Sequence, residues 1–136
     1  MKVFISYASK DEALARKLTA SLEDAGLDAW YDKREILPGD NWAEKISQGL
    51  KESNAMVVLL TPQALQSDAV QNNISYALGQ EAFRNRLIPV IIGDANDFPA
   101  DSMPWIFKRL QTITVLKDDE EAEQFKKVAE AIKAAA

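Results

Sequence analysis

The stretch AMVVLL, residues 55–60, is a run of six apolar residues that strongly constrains the fold. A strand with one face in water alternates apolar and polar side chains, and this run has no polar position. It therefore suits a strand covered on both faces, as in a parallel sheet between two layers of helices. LIPVII at 87–92 has the same character, and three further strands are predicted at 2–6, 27–31 and 110–115.

Helical patterns separate these strands. Ser9 and Glu12 have the spacing of a capping box, and the helix that follows them is expected to end at Gly26. The other predicted helices are one with the apolar stripe Trp42, Ile46 and Leu50, one from Pro62 to about Arg84, a short one from Pro104, and a last one capped by Asp118 and Glu121.

This alternation of strand and helix predicts an α/β fold. Each crossover must be right-handed and must cover one face of the sheet, which favours a three-layer, flavodoxin-like sandwich. The expected sheet has five parallel strands in the order 2-1-3-4-5. Residues 1–136 contain no internal repeat and no linker, so they are interpreted as one domain. Ligands of such sheets bind beyond the carboxyl ends of the strands, near the switch between strands 1 and 3.

Composition argues against several classes of protein. The chain is 47% hydrophobic and 27% charged, which is typical of a globular domain. Its net charge of −5 argues against a nucleic-acid partner. No apolar run approaches the roughly 20 residues that span a bilayer, and no signal peptide opens the chain. We therefore expect a cytoplasmic protein with no membrane partner.

Cysteine and histidine are both absent. Thiol nucleophiles, disulfides, Ser-His-Asp catalysis and the commonest ligands of transition metals are thereby excluded, and no metal site is predicted. Any chemistry must use carboxylates, amides, hydroxyls, lysine or bound water.

Two common occupants of this fold do not match. A phosphorelay receiver needs an acidic pair after strand 1 and an aspartate after strand 3, where this chain has SYA and TP. A flavodoxin or dinucleotide fold needs a glycine-rich loop after strand 1. The segment SYASKDEA contains no glycine, and the five glycines of the chain are not clustered.

Four blocks of the sequence carry a resemblance to a known family. They are VFISYASKDEALARKL, GLDAWYDKREILPGDNW, LLTPQALQSDAVQNNISYAL and PWIFKRLQTITV, in the expected order and at the expected spacing. The chain strongly resembles a TIR (Toll/interleukin-1 receptor) domain of the bacterial type. The resemblance implies either an assembly module of innate-immune signalling or an enzyme that cleaves the nicotinamide–ribose bond of NAD.

The third block departs from the family's catalytic motif, which is similar to W-V-x-x-E-[IL]-x-x-A-L. Ala69 stands at the aromatic position and Asn73 at the catalytic glutamate. Cleavage of an N-glycosidic bond builds positive charge on the ribose, and a carboxylate about 4 Å away stabilises it by roughly 4 kcal/mol, or about a thousandfold in rate. Asn73 lacks that charge. Asp68 lies off its helical face, and Glu81 lies about two turns away. Because Ala69 differs too, we interpret the pair as natural divergence.

Other positions that the resemblance implies for the pocket have two interpretations. Trp42 stacks on a ligand or is the first core residue of its helix, the latter being slightly favoured. Tyr7 contacts a ligand or packs in the core. Ser9 stands near an arginine position of active relatives, although it suffices as a helix cap. Asp32 contributes to the pocket or orders the following loop through backbone hydrogen bonds. Trp30 and Trp105 are predicted to be core residues.

The second block contains the family's BB loop, here residues 33–40. It is predicted to be exposed, mobile and important for association, with the candidate interaction residues Arg34, Glu35, Pro38, Gly39 and Asp40.

Two functions therefore remain open. One is a module that associates with itself or with other TIR domains and cleaves little or no NAD. The other is an NAD hydrolase active through a displaced acid or only when assembled. No cofactor is predicted, and NAD is a possible substrate or ligand.

Overall fold

A computed structural model describes residues 2–80, 83, 86–92, 113–115 and 121–135. Its centre is one sheet of five parallel strands in the spatial order β2-β1-β3-β4-β5. The strands are β1 Lys2–Ser6, β2 Asp28–Trp30, β3 Ala55–Leu60, β4 Leu87–Ile92 and β5 Ile113–Val115. The predicted fold class and strand order are confirmed.

Six helices are described on the two faces of the sheet. They are α1 Glu12–Asp24, α2 Asp32–Glu35, α3 Trp42–Glu52, α4 Pro62–Leu65, α5 Asp68–Leu78 and α6 Glu121–Ala135. A 3-10 turn, Ser9–Asp11, precedes α1. Gly26 follows α1 with a φ of 88°, as expected for a glycine just past a helix end.

All six residues of β3 are buried, and its side chains alternate between two cores. Ala55, Val57 and Leu59 belong to the core under α1 and α6. The intervening side chains belong to the core under α3, α4 and α5. The unbroken apolar run therefore reflects burial on both faces of the strand.

Two helix predictions are wrong in detail. Ser9 does not cap α1, because the 3-10 turn intervenes and neither Ala8 nor Asp11 makes a side-chain cap. The helix expected from Pro62 to about Arg84 is two helices, α4 and α5. The chain breaks at Gln66, and the hydroxyl of Ser67 accepts a hydrogen bond from the backbone of α5.

Helix α5 also ends at Leu78, six residues before the expected end. The segment from Pro104, Trp105 and the Asp118 cap lie outside the described residues. So does the first half of the strand predicted at 110–115, whose second half is β5.

Candidate functional site

A cavity of about 410 Å³ opens at the carboxyl ends of β1 and β2, between α3 and α5. It lies where the strand order predicts a ligand site. Strand β1 and the residue after it contribute Phe4, Ile5, Ser6 and Tyr7, and β2 and α2 contribute Trp30 and Asp32. Helix α3 contributes Trp42, Ala43, Ile46, Ser47 and Leu50, and α5 contributes Ala69, Asn72, Asn73 and Tyr76.

Trp30 forms part of the cavity wall and is also a core residue. Its indole stacks on the ring of Phe4, with centroids 4.9 Å apart and planes 13° apart. Both side chains are buried. The wall is therefore fixed against β1.

Tyr7 and Asp32 form a hydrogen-bonded pair at the cavity. The phenol of Tyr7 donates to Oδ1 of Asp32 at 2.5 Å, and the same oxygen accepts from the backbone N–H of Lys33 at 2.7 Å. The Tyr7 ring is buried and packs edge-on against Tyr31. Burial, and then the bond to Asp32, raise the pKa of the Tyr7 phenol above its ordinary value of 10.0. Asp32 thus holds the start of α2 as well as lining the cavity.

Asn73 lies in the cavity wall on α5 and is half-buried. Its side-chain Nδ2 donates a hydrogen bond of 3.0 Å to Oγ of Ser6, at the end of β1. Asp32 is the one carboxylate among the described residues that line the cavity. At Asn73, the wall therefore presents a neutral amide that is already engaged with a hydroxyl.

Trp42 is 53% exposed at the first position of α3 and lines the cavity. Its interpretation as a core residue is wrong. Leu50 of the same stripe is buried, whereas Trp42 stands at the open end of the helix that Asn41 caps through the N–H of Glu44. The exposed indole provides a flat apolar face at the mouth of the cavity.

Ala69 lines the cavity, as predicted, whereas Ser9 is exposed and is not among the lining residues. Sequence reasoning missed Asn72 and Tyr76 as lining residues and Ser6 as the partner of Asn73. The spacing of residues 69, 72, 73 and 76 on one helical face could have indicated the first two.

Arg34 anchors the BB loop instead of projecting freely from it. Its guanidinium donates to Glu23 on α1 at 3.1 Å and to the backbone carbonyl of Ala29. It also lies over the ring of Tyr31, 5.2 Å from its centroid. The adjacent Lys33 pairs with another α1 residue, Glu12, at 3.2 Å. The first half of the loop is therefore attached to α1 and β2.

The second half of the BB loop is a tight turn. Gly39 has a φ of 94°, in the left-handed region that favours glycine. Asp40 closes the turn, because its carboxylate accepts from the N–H of Leu37 at 2.9 Å. Leu37 is 64% exposed, so the turn presents an apolar side chain to its surroundings.

In the part of the chain that the structure describes, no group of three or more acidic residues is placed to hold a metal ion. Among the same residues, no helix has the length and apolarity needed to cross a membrane.

The parallel sheet, with a cavity between α3 and α5 at its carboxyl edge, defines an α/β ligand-binding or interaction domain. A family model described as TIR domain matches residues 3–129. The chain belongs to the TIR domain family.

The chain is similar in sequence to two bacterial relatives with different names. The chain is 29% identical over 86 residues to a 2′ cyclic ADP-D-ribose synthase of Bacteroides thetaiotaomicron, an alignment that covers 62% of this chain and 30% of the relative. It is 28% identical over 121 residues to an NAD(+) hydrolase of Paracoccus denitrificans, covering 88% of this chain and 40% of the relative. The chain thus spans less than half the length of these relatives.

Among solved structures, the TIR domain of the Toll-related receptor TRR-2 from Hydra magnipapillata matches with a TM-score of 0.73 and 21% identity, over 96% of this chain and 97% of the other. A TIR-STING receptor from C. gigas matches with a TM-score of 0.75 and 23% identity, over 96% of this chain and 38% of the other. At these identities the similarity shows the fold.

Proposed function

We propose that this TIR domain is a cytoplasmic signalling or defence module that associates with itself or with other TIR domains through the BB loop. In this proposal its cavity retains the shape of a ligand site and cleaves little or no NAD. The observation that carries the proposal of little or no cleavage is the amide of Asn73, which donates to Ser6 at the position where the family motif implies a glutamate.

The chemistry of the amide supports the loss of cleavage. A reaction that builds positive charge on a ribose is accelerated by a negative charge held close to it in a site that excludes water. Asn73 carries no charge and cannot exchange a proton. The carboxylate of Asp32, the one acidic group among the described lining residues, already accepts two hydrogen bonds.

The BB loop supports association. Its tip is a hydrogen-bonded turn that exposes Leu37, and its base is attached to α1 through Lys33 and Arg34. An exposed apolar side chain on a preorganised turn loses little conformational entropy when a partner covers it. The net charge of −5 does not favour a nucleic acid as that partner.

NAD hydrolysis is the second candidate function. The exposed indole of Trp42 and the pair of Tyr7 and Asp32 keep the cavity open and polar on one side. Two of the relatives are named for NAD cleavage or for synthesis of a cyclic ADP-ribose. A catalytic acid supplied by an assembled neighbour would reconcile these observations with Asn73.

Two measurements on the purified chain test the proposal. Incubation with NAD at high protein concentration is expected to release little nicotinamide, and vigorous release would establish the second candidate instead. Light scattering is expected to show concentration-dependent association that Leu37→Ser weakens. Leu78→Ser is the matched control, because Leu78 is also exposed but lies at the end of α5. Equal effects of the two substitutions would exclude the BB loop as the contact.

A further inference from the structure

Gly49 lies inside α3, where a glycine weakens a helix relative to alanine. The structure contains a reason for it. A Cβ atom added at Gly49 would lie 2.6 Å from Cε2, 2.8 Å from Cζ2 and 2.9 Å from Cδ2 of the Trp30 indole. The nearly equal distances to three adjoining ring atoms mean that the indole itself occupies the space of the missing side chain.

Phe4 blocks one direction in which the indole could yield. It stacks on the indole and is buried in β1. Two open spaces adjoin Trp30. One is the 410 Å³ cavity, of which Trp30, Phe4 and the α3 residues Ile46 and Leu50 are walls. The other is a smaller space of about 170 Å³ that Gly49 itself also lines. Atoms in comfortable contact lie about 3.5–4.0 Å apart, so an alanine at position 49 requires a shift of about 1 Å.

We propose that Gly49 sets the depth of the cavity, because the absence of a side chain there lets the Trp30 indole pack against α3. The depth of the cavity in turn limits the size of the ligand ring that it accepts. An alanine at position 49 displaces the indole into the cavity and fills part of the ligand space. The expected loss of ligand binding rests on the proposed function, in which the cavity is a ligand site. The expected shift of the indole does not depend on that function.

Crystal structures of Gly49→Ala and of Gly79→Ala test the position of the indole. Gly79 is the matched control, because its φ is −91° and an added Cβ would meet nothing closer than 3.6 Å. We expect the indole to move by about 1 Å toward the cavity in Gly49→Ala only. An unmoved indole with α3 displaced outward, or an indole displaced into the smaller space beside Gly49, would overturn the proposal.

Titration of NAD tests the consequence. If the parent binds NAD, Gly49→Ala is expected to weaken its binding at least tenfold. The double variant Gly49→Ala with Trp30→Phe, in which a smaller ring faces the new methyl group, is expected to bind NAD more tightly than Gly49→Ala alone. A parent that binds no NAD contradicts the proposed ligand and leaves the crystallographic test of Gly49 intact.

The double variant also tests the proposal if Gly49→Ala does not fold. If Gly49→Ala alone does not fold, the smaller ring should rescue folding. A double variant as unfolded as the single one would show that the clash with Trp30 is not the reason for the glycine, and the proposal would be wrong.

Discussion

The side-chain amide of Asn73 donates to the hydroxyl of Ser6 across 3.0 Å and joins α5 to the end of β1. Ser6 is buried, so its hydroxyl has almost no access to water. The bond therefore holds the helix face that lines the cavity against the central part of the sheet.

Restoring a carboxylate at this position is expected to restore cleavage of NAD. Asn73→Glu, alone and with Ala69→Trp, should raise the rate of nicotinamide release by up to about a thousandfold, as about 4 kcal/mol of charge stabilisation implies. The Ser6 hydroxyl can rotate to donate to the new carboxylate and orient it. Nicotinamide release is measured beside the parent protein.

The matched control for this experiment is Asn72→Glu. Asn72 is the preceding residue, lines the same cavity and is more exposed, so the control adds the same charge away from Ser6. An equal gain from both substitutions would mean that any added charge suffices. No gain from Asn73→Glu, alone or with Ala69→Trp, and no binding of NAD, would mean that the pocket has decayed beyond this one residue.

Arg34 is expected to matter for stability. Arg34→Ala removes the bonds to Glu23 and to the Ala29 carbonyl together with the contact over Tyr31. We expect a loss of about 1–2 kcal/mol in the free energy of unfolding, measured by urea titration. Arg16→Ala removes an exposed pair within α1 and should cost no more than about 0.5 kcal/mol. Equal losses would show that the contacts of Arg34 contribute nothing specific.

Thr61 joins the turn before α1 to the start of α4. Its hydroxyl donates to Oδ2 of Asp11 at 2.5 Å and accepts from the N–H of Ala64 at 3.1 Å. Thr61→Val keeps the shape but leaves a buried carboxylate and the helix N–H unpaired, at an expected cost of about 2–4 kcal/mol in urea unfolding.

Two variants control this prediction. Thr61→Ser keeps the hydroxyl and should stay within about 1 kcal/mol of the parent. Ser67→Ala removes only the cap of α5 and should cost about 1 kcal/mol. If Thr61→Val lowers the free energy of unfolding no more than Ser67→Ala does, the bond to Asp11 makes no measurable contribution to stability.

The raised pKa of Tyr7 predicts a loss of stability at alkaline pH. In the unfolded chain the phenol ionises near pH 10, while in the native state burial and Asp32 keep it protonated. The stability that the neutral phenol contributes is complete below about pH 10 and declines as the pH rises further.

Tyr7→Phe has no proton to lose, so its stability should fall less steeply than that of the parent. Urea unfolding at about pH 8 and about pH 11 should show the two proteins converging. A constant difference between them would contradict the pKa shift.

The sheet could be predicted because its signal is local. Every position of 55–60 is apolar, and a strand covered on both faces is the structure that satisfies such a run. The apolar stripe predicted for α3 was also correct at Leu50 but failed at Trp42. Periodicity assigns residues to one face of a helix and cannot show that the side chain in the first turn is left exposed.

The candidate site could be predicted only in part. Its position at the strand ends follows from the topology, and Asn73 and Ala69 follow from the family motif. The hydrogen bonds that Asn73 donates to Ser6 and that Thr61 donates to Asp11 join residues 67 and 50 positions apart. Asp11 accepts a hydrogen bond from Thr61 and does not cap α1. No spacing in the neighbouring sequence indicates this distant partner.

The contact of Arg34 with β2 has a consequence for aggregation. Strand β2 is the outer strand of the described sheet at the end next to β1, and it has only three residues. An exposed strand edge is a template on which other chains can add strands and grow into fibrils. The Ala29 carbonyl already accepts from Arg34, so an incoming strand finds one acceptor fewer on a very short edge. Growth of fibrils by strand addition is therefore disfavoured at this edge of the sheet.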